Sequence, residues 1–247
     1  MANYYRHFFL AGLLLFSANS WSSGTLTQHA LTASQAISAF YMFSLTEGDE
    51  RYHDEYIKIL AQANASFLAL KKQNPKQVAE LEPLWNKIQK EKDYKVSAQE
   101  EYNVPSFLRL QFRNYLEKIY LLVGQGIISD SNLSGHMARI ALDVEVMAAL
   151  FFDVSNATMG AFTLSSNVKG NDPEVMAKNM KLRLTKLQTV VIDEKIKKNL
   201  RTIANKWQFI ESSVINYNQE SAFMLVYYNK NKIVKLINSS QGVLASL

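Results

Sequence analysis

The chain repeats itself once, and a duplicated unit restricts the architecture before any single element is assigned. Gly48-Asp49-Glu50 returns as Gly170-Asn171-Asp172, a shift of 122, and Trp85 and Trp207 each stand 37 residues after those glycines. At the same shift Val78, Leu81 and Ile88 match Leu200, Ile203 and Ile210, so four apolar positions agree in helical phase. Downstream, Tyr102-Asn103 returns as Tyr217-Asn218, and Leu108, Phe112, Ile119 and Leu122 return as Ala222, Val226, Ile233 and Leu236. The shift has shortened there, which gives the first half about two extra helical turns between Trp85 and Tyr102. Upstream, Leu26, His29, Ala33, Ile37 and Phe40 match Leu133, His136, Ile140, Val144 and Met147 at a shift of 107. The second half therefore holds an insertion before Gly170, placed within Val154 to Lys169.

Each half reads as four helices. The stripes 140, 144, 147, 151, 154 and 108, 112, 115, 119, 122 step by four and three, the pattern of near-parallel packed helices, and strand alternation is nearly absent. The spacing predicts helices near 26–46, 49–72, 76–91 and 104–123, then near 132–155, 172–191, 194–214 and 219–238. Asp172 before Pro173 is a start signal, a capping side chain followed by a proline whose missing N–H is no loss at the first helical position. Pro83 is expected to kink its helix or to begin it. Gly124 to Gly135 is the joint. The fold expected is all-α, two duplicated antiparallel four-helix units in an elongated bundle, residues 21–125 and 126–247, with Trp85, Trp207, Gly48 and Gly170 as markers of the repeat.

Residues 1–20 read as a signal peptide. Arg6 supplies the positive charge, Phe8 to Phe16 is an unbroken apolar run, and Ala18-Asn19-Ser20 offers small residues for cleavage after Ser20, with Ser22 and Ser23 as alternatives. Nine apolar residues reach roughly half the ~30 Å hydrocarbon core, so cleavage is favoured over an anchor. Arg139, Asp143, Glu145 and Asp153 interrupt the richest later apolar stretch, so no transmembrane span is expected after processing. The absence of cysteine excludes a disulfide scaffold, thiolate metal centres, a thiol nucleophile and a lipoprotein anchor. A net charge of +5 is ordinary for 247 residues. The lysines between 178 and 206 have Asp193 and Glu194 among them and no aromatic interleaving, a solvated helix face rather than a nucleic-acid patch.

In the first helix of each half, Ser34-Gln35, Ile37 and Phe40-Tyr41-Met42, and Gly135 in the second copy, resemble part of the pattern GRQRMLSQRMAKxYM. With the tandem helical units and mid-unit Trp, they make the chain similar to the periplasmic module of NarX-type nitrate sensors and PilJ-type pilus chemotaxis transducers. The resemblance implies a periplasmic location, no catalysis, and work with a separate membrane transducer. The family's first arginine, which helps bind the anion in nitrate sensors, falls here on His29 and His136, and its second on Leu31 and Ala138.

His29 and His136 occupy equivalent positions, so two imidazoles lining one site compete with the reading of two surface residues near helix ends. Glu50-x-x-His53 has the spacing of a carboxylate di-iron ligand pair but lacks the second copy and the further glutamates, so no metal is expected, and no other cofactor. No nucleophile elbow, phosphate-cradling loop or His-Glu-x-x-His is present. Arg139 and Asp143 read as a surface bridge that could rim a pocket, and Tyr102, Tyr115, Tyr120, Tyr217, Tyr227 and Tyr228 as inter-helix packing with hydroxyls at the edge. Two functions are expected of such a chain: a sensor-like protein binding a small ligand such as an anion, or presenting a signal to a transducer; and an accessory component of a surface assembly such as a pilus or secretion apparatus. A ligand is expected where the two first helices approach, near His29, Ser34, Gln35, His136 and Arg139.

Overall fold

The computed structural model describes residues 25–125, 133–156, 172–216 and 222–244. The signal peptide, Gly170, Tyr217 and most of both the joint and the second-half insertion lie outside these residues. Among the described residues the chain is all-α: α1 (Thr25–Leu45), α2 (Glu50–Gln73), a helical turn at Pro75–Val78, α3 (Glu82–Lys90), a 3₁₀ turn at Ala98–Glu100, α4 (Ser106–Gln125), α5 (Leu133–Ser155), α6 (Pro173–Val190), α7 (Glu194–Asn216) and α8 (Phe223–Leu244). No described helix is long and apolar enough to cross a membrane.

Two helices differ from the rest. Residues 135–153 of α5 are all buried, and α1 is buried from Leu26 to Ser44 apart from Gln28 and Gln35. Both are buried around the full circumference, the placement of an interior helix rather than of an amphipathic surface one. Small residues let them come close: Ala30, Ala33, Ala36 and Ala39 on α1, and Gly135, Ala138, Ala141, Ala148 and Ala149 on α5. They pack against each other, with α2, α4 and α8 against α1, and α4, α6, α7 and α8 against α5.

The outer helices carry one apolar stripe each. On α2 it is His53, Tyr56, Leu60, Ala63, Phe67 and Leu70, and on α7 Ile196, Leu200, Ile203, Trp207, Ile210 and Val214. Their starts are fixed by aspartates whose side chains accept from backbone N–H groups: Asp49 from Arg51 at 3.0 Å, Asp172 from Glu174 at 2.8 Å, and Asp193 from Ile196 at 2.8 Å. Pro83 falls in the first turn of α3, so the helix expected over 76–91 is two pieces, parted at Ala79–Leu81. Gly48 closes the turn between α1 and α2 at φ +81°, where an added Cβ would meet the Tyr102 ring at 3.1 Å. Tyr102 ends the irregular segment that joins α3 to α4. Its φ of 58° and that of Glu101, 51°, curl this segment back over the turn, where the Ser44 hydroxyl donates to the Tyr102 carbonyl.

Trp85 and Trp207 are each 1% exposed, and Val78, Leu81, Ile88, Leu200, Ile203 and Ile210 are buried with them. Trp85 stacks on Phe67 at 5.8 Å, meets His29 edge-on at 5.0 Å and packs against the tilted Tyr115 ring at 5.2 Å. Trp85→Ala and Trp207→Ala should each destabilise the protein by about 3–5 kcal/mol in urea unfolding. A loss under about 1 kcal/mol for either would place that indole outside the core.

Candidate functional site

His29 is fully buried, not near a surface. Its Nδ1 lies 3.0 Å from the Ala63 carbonyl and 2.9 Å from the Ser66 hydroxyl, and its Nε2 contacts the Tyr115 hydroxyl. Ala63 O only accepts, so Nδ1 carries the proton and Nε2 accepts from Tyr115. Burial raises the Tyr115 hydroxyl far above its ordinary value, which keeps it a donor. Burial pushes His29 itself down from 6.5 to about 4, against the smaller upward pull of the Ala63 bond. The ring is therefore neutral at pH 7, a packing and hydrogen-bonding group of the first half rather than an imidazolium for an anion.

The remaining residues of the expected site divide among other environments. Ser34 is buried and donates to the Ala30 carbonyl at 2.8 Å, a bond inside its own helix. Gln35 is half-buried, and His136 is 8% exposed on α5. The surface reading of both histidines is corrected, because α1 and α5 are covered on all sides. Arg139 and Asp143 are not a surface bridge for the same reason: they are 8% and 0% exposed. Arg139 faces α4, where its guanidinium lies 4.2 Å over the Tyr120 ring.

The chemistry of α5 lies in three buried acids. Asp143 accepts from Arg139 Nε at 2.9 Å, from the Tyr120 hydroxyl at 2.7 Å and from Arg183 at 3.3 Å. Asp153 accepts from Arg109 Nε at 2.7 Å, from Arg113 Nε at 3.2 Å and from the Tyr41 hydroxyl at 2.9 Å. Arg109 also donates to the Asp153 carbonyl at 2.8 Å, in the last turn of α5, where the helix dipole favours a cation. Glu145 pairs with Lys230 of α8 at 3.0 and 3.1 Å, and both side chains are essentially out of solvent. The Lys230 ammonium also donates to Asn231 at 2.9 Å and sits 4.5 Å over the Tyr227 ring. Two of the three centres share one composition, a carboxylate met by two guanidiniums and a tyrosine hydroxyl. Desolvation lifts Asp143 above the usual carboxylate range, and Arg139, Tyr120 and Arg183 pull it part of the way back. Burial holds the Tyr41 and Tyr120 hydroxyls well above their ordinary value, so both remain donors.

Of these residues only Arg139 belongs to the site expected from sequence. The signal for the rest was the four charges inside the most apolar stretch, which mark buried positions once the helix has no outer face. Of the tyrosines, Tyr115, Tyr120 and Tyr227 are buried, Tyr102 is half-buried, and Tyr228 is exposed between Lys206 and Lys232. Glu50, His53 and Asp54 bring one ligand atom each to within 4.8 Å of one another, but Glu50 is already bridged by Lys95 at 3.0 Å. Comparison with family models, with characterised proteins and with solved structures finds no match for this chain.

Because the folded state holds His29 neutral, the unfolded chain takes up its proton first as pH falls. Stability should be full above pH 6.5, drop progressively between 6.5 and about 4, and stop responding to this group below that, with a total loss of about 3 kcal/mol. Urea titrations at half-unit pH steps should show this loss as the difference between the wild-type profile and that of His29→Gln, which lacks it. Parallel profiles for the two proteins would contradict the neutral assignment.

Proposed function

We propose that the chain is a noncatalytic, exported, periplasmic sensor-like protein that binds a small anion and works through a separate membrane transducer. The observation that carries this reading is the surplus of guanidinium at the buried acids. Asp143 can neutralise one of Arg139 and Arg183, and Asp153 one of Arg109 and Arg113, which leaves a net positive charge at each centre. Arg183, Arg109 and Arg113 keep 24%, 18% and 26% of their side chains exposed, so an anion arriving from solvent can reach them. Planar guanidinium forks suit oxyanions and carboxylates better than an ammonium does. The centre at Arg139 and Arg183 is preferred, because it contains the residue expected from sequence and links α5 to α6. The arginines take over the role first given to His29 and His136.

The same reading treats the halves as two copies of one four-helix unit. It is supported by the shared burial of Trp85 with Trp207, Ile88 with Ile210, and Ile119 with Ile233. An anion that draws Arg183 away from Asp143 would loosen α6 from α5, and α5 touches four other helices, so a local event has a route to the rest of the molecule.

The accessory-component reading has one specific observation in its favour: Val190 and Ile192, at the turn between α6 and α7, are 59% and 87% exposed. A thermal-shift screen of oxyanions and small carboxylates at pH 7.5 separates the two. At a hundredfold excess over Kd, binding stabilises by about 2.7 kcal/mol, a rise of roughly 5–10 °C for a chain of this size. Arg183→Gln should lose most of that rise and His29→Gln should keep it. Equal rises in the wild type and Arg183→Gln would remove the site from this centre, and no rise with any anion would leave the accessory reading ahead.

A further inference from the structure

The turn between α6 and α7 holds two apolar side chains out in solvent. Val191 at its centre is buried and its backbone is extended, at φ −73° and ψ 133°, so Val190 and Ile192 on either side point outward and are 59% and 87% exposed. Asp193 fixes the exit from the turn by accepting from the Ile196 N–H at 2.8 Å. Contacts between the helices place this turn in the bundle. α1 runs parallel to α5, since Tyr41 meets Asp153 and Ser44 meets Asn156. α2 runs against α1 through His29 with Ala63 and Phe43 with His53. α4 runs against α5 through Tyr120 with Asp143 and Arg109 with Asp153, and α8 does so through Lys230 with Glu145 and Gln241 with Ser134. α7 runs against α8 through Asn199 with Ser240 and Lys206 with Asn229. The starts of α1, α5 and α7 therefore share one end of the bundle with the ends of α2, α4, α6 and α8, and the turn stands at that end.

Charge is divided between the two ends. At the end with the turn, Lys72, Lys76, Lys186, Lys195 and Lys198 are exposed, and among the described residues none of them is in a salt bridge. The acids there are occupied, Glu82 by Lys71, Glu80 by Lys118, Glu194 by Lys197 and Asp193 by the start of α7. At the opposite end Glu47, Asp54, Asp93, Glu101 and Glu174 are exposed and, among the described residues, in no salt bridge. An anionic surface attracts the first end and repels the second, so the bundle meets it end-on with Ile192 foremost. A convex turn is too small for a stable protein interface, which covers roughly 800 Å² of each partner, whereas a bilayer yields to a wedge of any shape and offers apolar chains beneath a layer of phosphate. Residues 1–24, with the apolar run Phe8 to Phe16, attach at this same end, so any contact of that run with a bilayer brings this end to it. We propose that this end of the bundle docks on an anionic phospholipid surface, with Val190 and Ile192 entering below the headgroups and the lysines around them meeting lipid phosphates.

The test is co-sedimentation with vesicles, using the chain from Trp21 to Leu247, which contains every described helix and omits the Phe8–Phe16 run. The protein should bind vesicles of mixed phosphatidylglycerol and phosphatidylcholine, not those of phosphatidylcholine alone, and should be released in about 1 M salt, where the Debye length falls to about 3 Å. The triple variant Lys186→Glu, Lys195→Glu, Lys198→Glu should bind at least about a hundredfold more weakly, and Ile192→Ser about tenfold more weakly. The variant Lys58→Glu, Lys90→Glu, Lys92→Glu makes the same change of net charge at exposed positions away from the turn, and it should stay within about threefold of the wild type, because charges more than a Debye length from the surface are screened. The chain has no cysteine, so an environment-sensitive dye can be attached at one place, through Ile192→Cys or through Ala98→Cys at the opposite end. On the mixed vesicles its emission should rise and shift to the blue at the first position and not at the second. Equal binding to both kinds of vesicle, a variant at the turn no weaker than the one away from it, or a dye response at Ala98 would overturn the proposal. Retention on polyglutamate with no binding to vesicles would overturn it too, and would assign this end to an acidic protein partner.

Discussion

A carboxylate withdrawn from water costs several kcal/mol unless cations and hydrogen-bond donors meet it, and α5 carries three of them where solvent is absent. That requirement organises the molecule. Asp143 draws on α4 and α6, Asp153 on α1 and α4, and Glu145 on α8, so the neighbours of α5 are held in position by charge as well as by apolar packing. An all-apolar α5 could slide or rotate against its covering helices with little penalty. Three acids at fixed heights along the helix admit one arrangement in which every charge has a partner.

α1 is the apolar counterpart of α5. Its alanines let the two interior helices approach, while Ser34 is satisfied by the preceding turn of the helix and His29 by Ala63, Ser66 and Tyr115. One interior helix therefore contributes packing and the other contributes charge. This asymmetry explains why a duplicated sequence pattern does not place equivalent chemistry in both halves. The position of Leu116 in the first half is Lys230 in the second, at the same shift that relates Ile119 to Ile233. Lys230 is the partner that Glu145 needs.

Helix positions were legible because the apolar stripes of the outer helices are continuous and the start of α6 is marked by Asp172 before Pro173; the capping by Asp49 and Asp193 emerged only in the structure. The break before Pro83 was legible as a proline but not as a gap, since the turn at Pro75–Val78 keeps the apolar phase. The site was less legible. An i, i+4 pair such as Arg139 and Asp143 reads as surface on any helix with an outer face, and only the packing of α4, α6 and α8 around α5 removes that face. His29 was misread for a related reason: its position near the start of a helix suggests exposure, but α2, α3 and α4 close over it and drive it neutral. Arg109, Arg113 and Arg183 lie on helices that read as ordinary amphipathic ones, and nothing in their own spacing points at Asp153 or Asp143, which are 40 or more residues away in the chain.

If buried charge pairing on α5 fixes the arrangement of the bundle, the pair furthest from solvent should report it most directly. The measurement is a double-mutant cycle on Glu145 and Lys230 by urea unfolding. Lys230→Met alone strands a buried carboxylate and should destabilise by about 3–5 kcal/mol, whereas Lys230→Met with Glu145→Leu should return close to wild-type stability, since an apolar pair of similar size needs no compensation. A cost below about 1 kcal/mol for the single variant, or a double variant that simply sums the two single losses, would contradict the account.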